Sequence, residues 1–185
     1  EESVWHLSGG IGQVGDVLNY YERDSSYFNP RLYKNGRIIE TKGYCSDVYT
    51  DEAISFIESN SDDPFLLYLS FNAPHTPLQV PENYLKKYEN ENFDSQEFLK
   101  NGSYVHDMTP KDVEDAKKVY AMISNIDDNI GRLVRSLKEN KRYDNTIIIF
   151  LTDNGPEQYR YIGGYRGKKG QVREGGIHVP FYMKV

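Results

Sequence analysis

Asp153 and Asn154 directly follow the apolar run Ile147-Ile148-Ile149-Phe150-Leu151 and Thr152, and Gly155 follows them. A carboxylate and a carboxamide at the end of such a run offer two hard oxygen ligands, suited to Ca²⁺ or Mg²⁺. A tight turn is the competing reading of Asp-Asn-Gly. His75 sits in Asn72-Ala73-Pro74-His75-Thr76-Pro77, after a second apolar run from Phe65 to Phe71. Lys169 lies in Arg166-Gly167-Lys168-Lys169-Gly170, and His6 follows Trp5 near the start of the chain. A cation, a lysine and two histidines together suit a substrate with a negatively charged tetrahedral group. The cation and the lysine would neutralise its oxygens, and a histidine could protonate the leaving oxygen. Glycines between 163 and 176 would let the backbone pass close to the anion. Each residue also has a plainer reading: His75 as a loop cap, Lys168 and Lys169 as a solvated pair, His6 as a terminal side chain. His106 and His178 are lone histidines, and Cys45 reads as a small buried residue.

These residues need a scaffold that brings strand ends together. The runs 65–71 and 147–151 read as strands buried on both faces, adjacent or nearly so. In open α/β sheets ligands bind outside the carboxyl ends of strands, so His75, Asp153 and Asn154 are expected at one sheet edge. Lys169 lies on the return path to a last strand, expected over Ile177 to Val185. Between these runs, Asn35-Gly36 predicts a hairpin with a type I′ turn. Thr50 is expected to cap a helix running to Ser59 that buries Ala53, Ile54 and Ile57. A short helix is expected over Pro81 to Tyr88. Thr109-Pro110-Lys111-Asp112 is a strong helix start, and that helix runs to about Asn140. Its predicted stripe is Val113, Ala116, Tyr120, Ile123, Ile130, Leu133 and Leu137. Residues 9–12 read as loop and residues 89–107 as a polar surface insertion. Asn101-Gly102-Ser103 matches a glycosylation sequon. The element order gives an α/β fold with a largely parallel sheet flanked by helices.

Composition narrows the function classes. The chain has 185 residues, with 38% hydrophobic and 27% charged, enough for one domain with a sizeable core. Net charge is −6 without a long basic block, which argues against a nucleic-acid partner. No apolar run approaches the ~20 residues of a membrane span. Glu1-Glu2-Ser3-Val4 is not a signal peptide, which leaves the compartment open. One cysteine rules out an intrachain disulfide and a cysteine-rich zinc site. Nothing indicates an oligomeric state.

Five stretches together resemble the formylglycine-dependent sulfatases of the arylsulfatase type, within the alkaline-phosphatase-like superfamily. Trp5-His6-Leu7 looks like the end of a Gly-Lys-Trp-His-Leu-Gly motif. Ala73-Pro74-His75-Thr76-Pro77 looks like the family's His loop, and Asn145 to Gly155 like its Asp-Asn-Gly strand. Arg166-Gly167-Lys168-Lys169-Gly170 looks like its Gly-Lys-Gly loop. Glu174-Gly175-Gly176-Ile177-His178-Val179-Pro180 looks like its Glu-Gly-Gly-x-x-x-Pro ending. The resemblance implies that Asp153 and Asn154 bind Ca²⁺, with Mg²⁺ as the alternative. His75 and Lys169 would contact the sulfate, His75 also being the general acid for the leaving alcohol. His6 would stand beside the nucleophile and help a covalent sulfate intermediate collapse.

Departures qualify that resemblance. The family nucleophile is a formylglycine made from the cysteine of Cys-x-Pro-x-Arg. Cys45 is followed by Ser46-Asp47-Val48-Tyr49 and does not match. The nucleophile and an Asp-Asp metal pair are therefore expected upstream. Val4 replaces the motif lysine, and His178 stands where an arginine is common. Residues 1–185 are thus expected to be part of a single catalytic domain without its nucleophile region or C-terminal subdomain, inactive in isolation. The implied substrate is a sulfated small molecule or glycan, and the implied compartment is periplasmic, secreted or lysosomal. The alternatives are a phosphomonoesterase or phosphodiesterase of the same superfamily, and a non-catalytic domain that binds sulfated glycans.

Overall fold

A computed structural model describes residues 2–6, 11, 16, 18, 27–59, 63–93 and 106–185. The predicted loop at 9–12 lies outside these apart from Ile11, and the Asn101 sequon lies outside them entirely.

The first sheet is antiparallel, in the order β1 (Val4–Trp5), β2 (Arg31–Lys34), β3 (Arg37–Glu40). The turn between β2 and β3 is the predicted one. Asn35 and Gly36 both have positive φ, 51° and 77°, as a type I′ turn requires. The Asn35 side chain also accepts from Ser3 N at 2.9 Å. Trp5 stacks on Tyr33 across the strands, with centroids 4.5 Å apart.

Helix α1 (Cys45–Ser59) begins five residues earlier than the Thr50 cap predicted. Thr50 is buried inside it, and its hydroxyl donates to Ser46 O at 2.9 Å. Burial rather than a cap fixes the start: Cys45, Val48, Tyr49, Ala53 and Ile57 recur at helical spacing and form the buried face. Ile54 is only partly buried. Helix α2 (Glu82–Leu85) follows Pro81 and tightens into a 3₁₀ turn over Lys86–Tyr88. Helix α3 (Pro110–Glu139) starts as predicted. Thr109 and Asp112 form a reciprocal capping box with Pro110 in the first turn.

The α3 stripe differs from the predicted one. Its buried face carries Ala116, Val119, Met122, Asn125, Ile126, Asn129 and Leu137, whereas Ile123 is exposed. The reason is a polar exchange with α1. Asn125 and Asn129 each donate to Asp47 Oδ1, at 2.8 and 2.7 Å. Two amides on the buried face rotate the stripe away from a purely apolar count. The core gathers Ile11, Tyr27, Leu32, Tyr44, Cys45, Val48, Tyr49, Ala73, Met122 and Ile126, with Leu69, Phe71 and Ile130 against its edge.

The second sheet holds the 147–151 run but not the 65–71 run expected beside it. Strand β4 (Ile148–Leu151) pairs antiparallel with β5 (Phe181–Lys184), Ile149 facing Met183 and Phe150 facing Tyr182. Residues 65–71 carry no strand ladder among the described residues. Both sheets there are antiparallel, in a partial α/β domain. Nor are the two runs fully buried. Leu66 is 91% and Tyr68 89% exposed, and Ile149 and Leu151 are also exposed. An apolar run records that both faces require cover, and the described residues cover one. The last predicted strand is shorter. A single turn, α4 (Glu174–Ile177), takes its start, and His178 is already extended before β5. No helix among the described residues is long and apolar enough to cross a membrane.

Candidate active site

Two of the candidate residues rest on the tyrosine-rich core. His75 sits in a turn closed by His75 N donating to Asn72 O at 3.0 Å. The peptide bonds Ala73–Pro74 and Thr76–Pro77 are cis. The His75 ring bonds through Nδ1 to Thr76 O at 2.8 Å. A carbonyl only accepts, so Nδ1 carries hydrogen and the exchangeable position is Nε2. From below, the hydroxyl of Tyr27 donates to His75 O at 2.7 Å, and Asn72 Nδ2 donates to that hydroxyl at 2.6 Å.

His6 follows β1, with Nδ1 2.8 Å from the hydroxyl of Tyr49 on α1. Burial lowers the pKa of its imidazole, and the buried Asp16 carboxylate opposes that shift. His6 is therefore mostly neutral at neutral pH. Burial also pushes the Tyr27, Tyr44 and Tyr49 phenols upward, so all three remain protonated. The same cause raises the Cys45 thiol to about 12. Cys45 is thus a core thiol and not a nucleophile.

The other three candidates share a second scaffold. Asp153 and Asn154 leave the end of β4, and Asp153 Oδ1 accepts from Asn154 N at 2.9 Å. Gly155 N then donates to Gly176 O at 2.9 Å, and Lys169 N donates to Pro156 O at 2.8 Å. Within the loop, Gly175 N bonds Arg166 O at 2.8 Å and Gly176 N bonds Arg173 O at 2.7 Å. Glycine is required at this seam. A Cβ on Gly155 would lie 1.9 Å from Gly175 O. The turn after β4 and the Lys169 loop are thus one stitched unit. Lys168 is engaged elsewhere, with Nζ 4.9 Å from the centroid of the Tyr159 ring. His178 is held by Glu174 at 3.1 Å and stacks on Tyr165 at 4.5 Å.

The contacts therefore set His6 on Tyr49 and His75 on Tyr27, two tyrosines of one core, and join Asp153, Asn154 and Lys169 around the β4 turn. The tyrosines under the histidines were not predicted. Their only signal in the sequence is abundance, sixteen in all. Asp153 and Asn154 suit a hard cation, since both offer oxygen and the exposed carboxylate has lone pairs beyond the one spent on Asn154 N. A Ca²⁺ ion takes six to eight oxygens, so these two supply part of a shell. Among the described residues no group of three or more His, Cys, Asp or Glu assembles.

The partial α/β domain resembles solved structures along almost its whole length. The crystal structure of Ps i-CgsB in complex with k-i-k-neocarrahexaose superposes with a TM-score of 0.74 at 29% identity, over 99% of this chain and 39% of that one. The sulfatase family model matches residues 6–184, and the chain belongs to the sulfatase family. It is 34% identical to the uncharacterized sulfatase YdeN of Escherichia coli (strain K12) over 174 residues, 90% of this chain and 27% of that protein. It is 30% identical to the arylsulfatase of Klebsiella aerogenes, over 78% of this chain and 35% of that protein. The chain thus spans about a third of the length of these relatives.

Proposed function

We propose that residues 1–185 form part of a single sulfatase catalytic domain whose whole protein hydrolyses sulfate esters, with Asp153, Asn154, Lys169, His75 and His6 converging on one cleft. One observation carries this reading: the bonds Gly155 N to Gly176 O and Lys169 N to Pro156 O tie a strand-end carboxylate and a lysine to the same scaffold. Asp153 and Asn154 would hold a Ca²⁺ ion, or Mg²⁺ in its place, and when bound that ion would draw charge from the sulfate oxygens. The Lys169 ammonium is a compact cation on a flexible stem, suited to the same oxygens. With Nδ1 committed to Thr76 O, Nε2 is the ring atom through which His75 would exchange a proton with the leaving alcohol oxygen. His6, neutral at neutral pH, can accept a proton. By family resemblance the nucleophile is a formylglycine, and residues 1–185 contain no Cys-x-Pro-x-Arg stretch to supply it.

The substrate is a sulfated small molecule or a sulfated glycan. A relative crystallised with k-i-k-neocarrahexaose supports the oligosaccharide option. The compartment consistent with the family is periplasmic, secreted or lysosomal. The largely parallel, alkaline-phosphatase-like sheet remains part of this proposal for the whole domain.

The test is turnover of 4-nitrophenyl sulfate against 4-nitrophenyl phosphate by the full-length protein. Sulfate preference is expected, and Asp153→Ala should remove Ca²⁺ binding, read by calorimetry, together with turnover. Phosphate preference would move the protein to the phosphoesterases. Metal binding without turnover of either ester would favour a sulfated-glycan-binding domain. Retained activity in Asp153→Ala would remove Asp153 from the site.

A further inference from the structure

Beside the Lys169 loop lies an open cavity of about 510 Å³, lined by His106, Tyr159, Arg166, Gly170, Gln171 and Arg173 among others. That volume is within the usual range of small-ligand sites, roughly 300–1,000 Å³. Its lining carries two guanidinium groups and no carboxylate. Two aromatic rings, His106 and Tyr159, are part of the cavity wall. The His106 and Tyr159 rings lie 4.1 Å apart, and the Lys168 ammonium sits 4.9 Å from the Tyr159 centroid. Four cations, Arg166, Lys168, Lys169 and Arg173, fall within eight residues of a chain whose net charge is −6. Burial and the Arg166 and Lys168 charges lower the pKa of the His106 imidazole, against the pull of Asp107. Asp112 also feels Lys168, but its carboxylate is spent on the Thr109 capping box. Among the described residues Arg173 forms no ion pair, and it is exposed. The cavity is therefore a positive basin in an acidic protein.

The cavity adjoins the backbone that carries Lys169. Gly170 lines the cavity and is bonded to Lys169, so their Cα atoms are about 3.8 Å apart. We propose that this cavity is a second anion subsite, in which Arg166 and Arg173 bind an oxyanion substituent of the same substrate, so that the preferred substrate is a glycan carrying at least two anionic groups. Planar guanidinium forks match sulfate and carboxylate oxygens in pairs, which a lone ammonium does not. The aromatic wall supplies an apolar surface for the adjoining sugar ring. This inference rests on the sulfatase reading and adds a substrate class to it.

The test compares kcat/KM of the full-length protein for a disulfated disaccharide and for 4-nitrophenyl sulfate. A third substrate carries a uronate carboxylate in place of the second sulfate, and separates the two sources of the oxyanion. In Arg166→Gln/Arg173→Gln the ratio of disaccharide to aryl sulfate should fall about tenfold or more, mostly through KM for the disaccharide. Arg173→Lys, which keeps the charge and loses the fork, should fall between the two. The exposed Arg173→Gln single variant serves if the double variant loses its near-UV circular dichroism. An unchanged ratio in these variants overturns the subsite. Calorimetric binding of the disaccharide separates the two readings. If neither substrate turns over but the disaccharide binds in an arginine-dependent way, the hydrolase reading falls and the anion subsite stands. Binding that ignores both arginines overturns the subsite whatever the turnover.

Discussion

The hydroxyl of Tyr49 lies 2.8 Å from Nδ1 of His6, while Tyr49 itself packs in the core with Cys45. A candidate site residue at the end of a two-residue strand is thus fixed from beneath by helix α1. Tyr49→Phe removes the hydroxyl and keeps the ring. It should cost about 0.5–1.5 kcal/mol, read as a lower urea midpoint. A midpoint equal to wild type would show that the bond contributes nothing.

His6 also sets a pH dependence. Its folded pKa lies below the ordinary 6.5, so between the two values the unfolded chain binds more protons. Stability therefore rises with pH through that window, and is lost as pH falls below about 6.5. Urea midpoints at pH 5, 6 and 7 should show this slope, and His6→Gln should reduce it. An unaltered slope in His6→Gln would assign it to other groups.

Asp47 joins the two long helices by accepting from Asn125 and Asn129, both fully buried. Asp47→Ala strips the acceptor and leaves buried amide donors behind. About 1–3 kcal/mol of stability should go with it. Asn125→Ala combined with Asp47→Ala should cost less than the sum of the two single changes, because the stranded donor is gone as well. Strict additivity in denaturant unfolding would mean that the pair is not coupled.

Two glycine substitutions in one loop should fail for different reasons. A Cβ on Gly155 meets Gly175 O at 1.9 Å, so Gly155→Ala forces the seam between the β4 turn and the Lys169 loop apart. Faster proteolytic cleavage between residues 155 and 176 is expected, with lost turnover in the full-length protein. At Gly170 there is open space but φ is +80°. Gly170→Ala should cost only the left-handed backbone penalty, roughly 1–2 kcal/mol. Equal protease resistance in Gly155→Ala and wild type would refute the steric account.

The uncovered side of the second sheet predicts how the chain behaves alone. Ile149, Leu151, Phe181 and Tyr182 of that sheet are exposed, as are Leu66 and Tyr68 of the 65–71 run, apolar surface of the kind that drives association when it is contiguous. The 185-residue chain by itself should bind a hydrophobic dye and self-associate on a sizing column. In the full-length protein, Leu66→Asp should lower the melting temperature, the result expected of an apolar side chain that is covered there. A neutral Leu66→Asp in the full-length protein would mean that the face is solvent-exposed there too.

Some of this protein is decided within a few residues, and the sequence states it. Asn35-Gly36 makes the hairpin because both residues tolerate positive φ. Thr109, Pro110 and Asp112 start α3 because the cap bonds run between neighbours three residues apart. The sulfatase motifs are likewise short, and their order along the chain is enough to give the family. Other features depend on what packs from far away, and only the tertiary structure decides them. The start of α1 follows from burial of Cys45 and Val48 and not from the Thr50 cap signal. Tyr49 reaches His6 across 43 residues of sequence, and Tyr27 reaches His75 across 48. The apolar runs at 65–71 and 147–151 declare a need for cover, but neither their partners nor the antiparallel pairing of β4 with β5 is written in a period-two pattern. Periodicity reports which faces must leave water, whereas the neighbour that takes them out is fixed by the path of the whole chain.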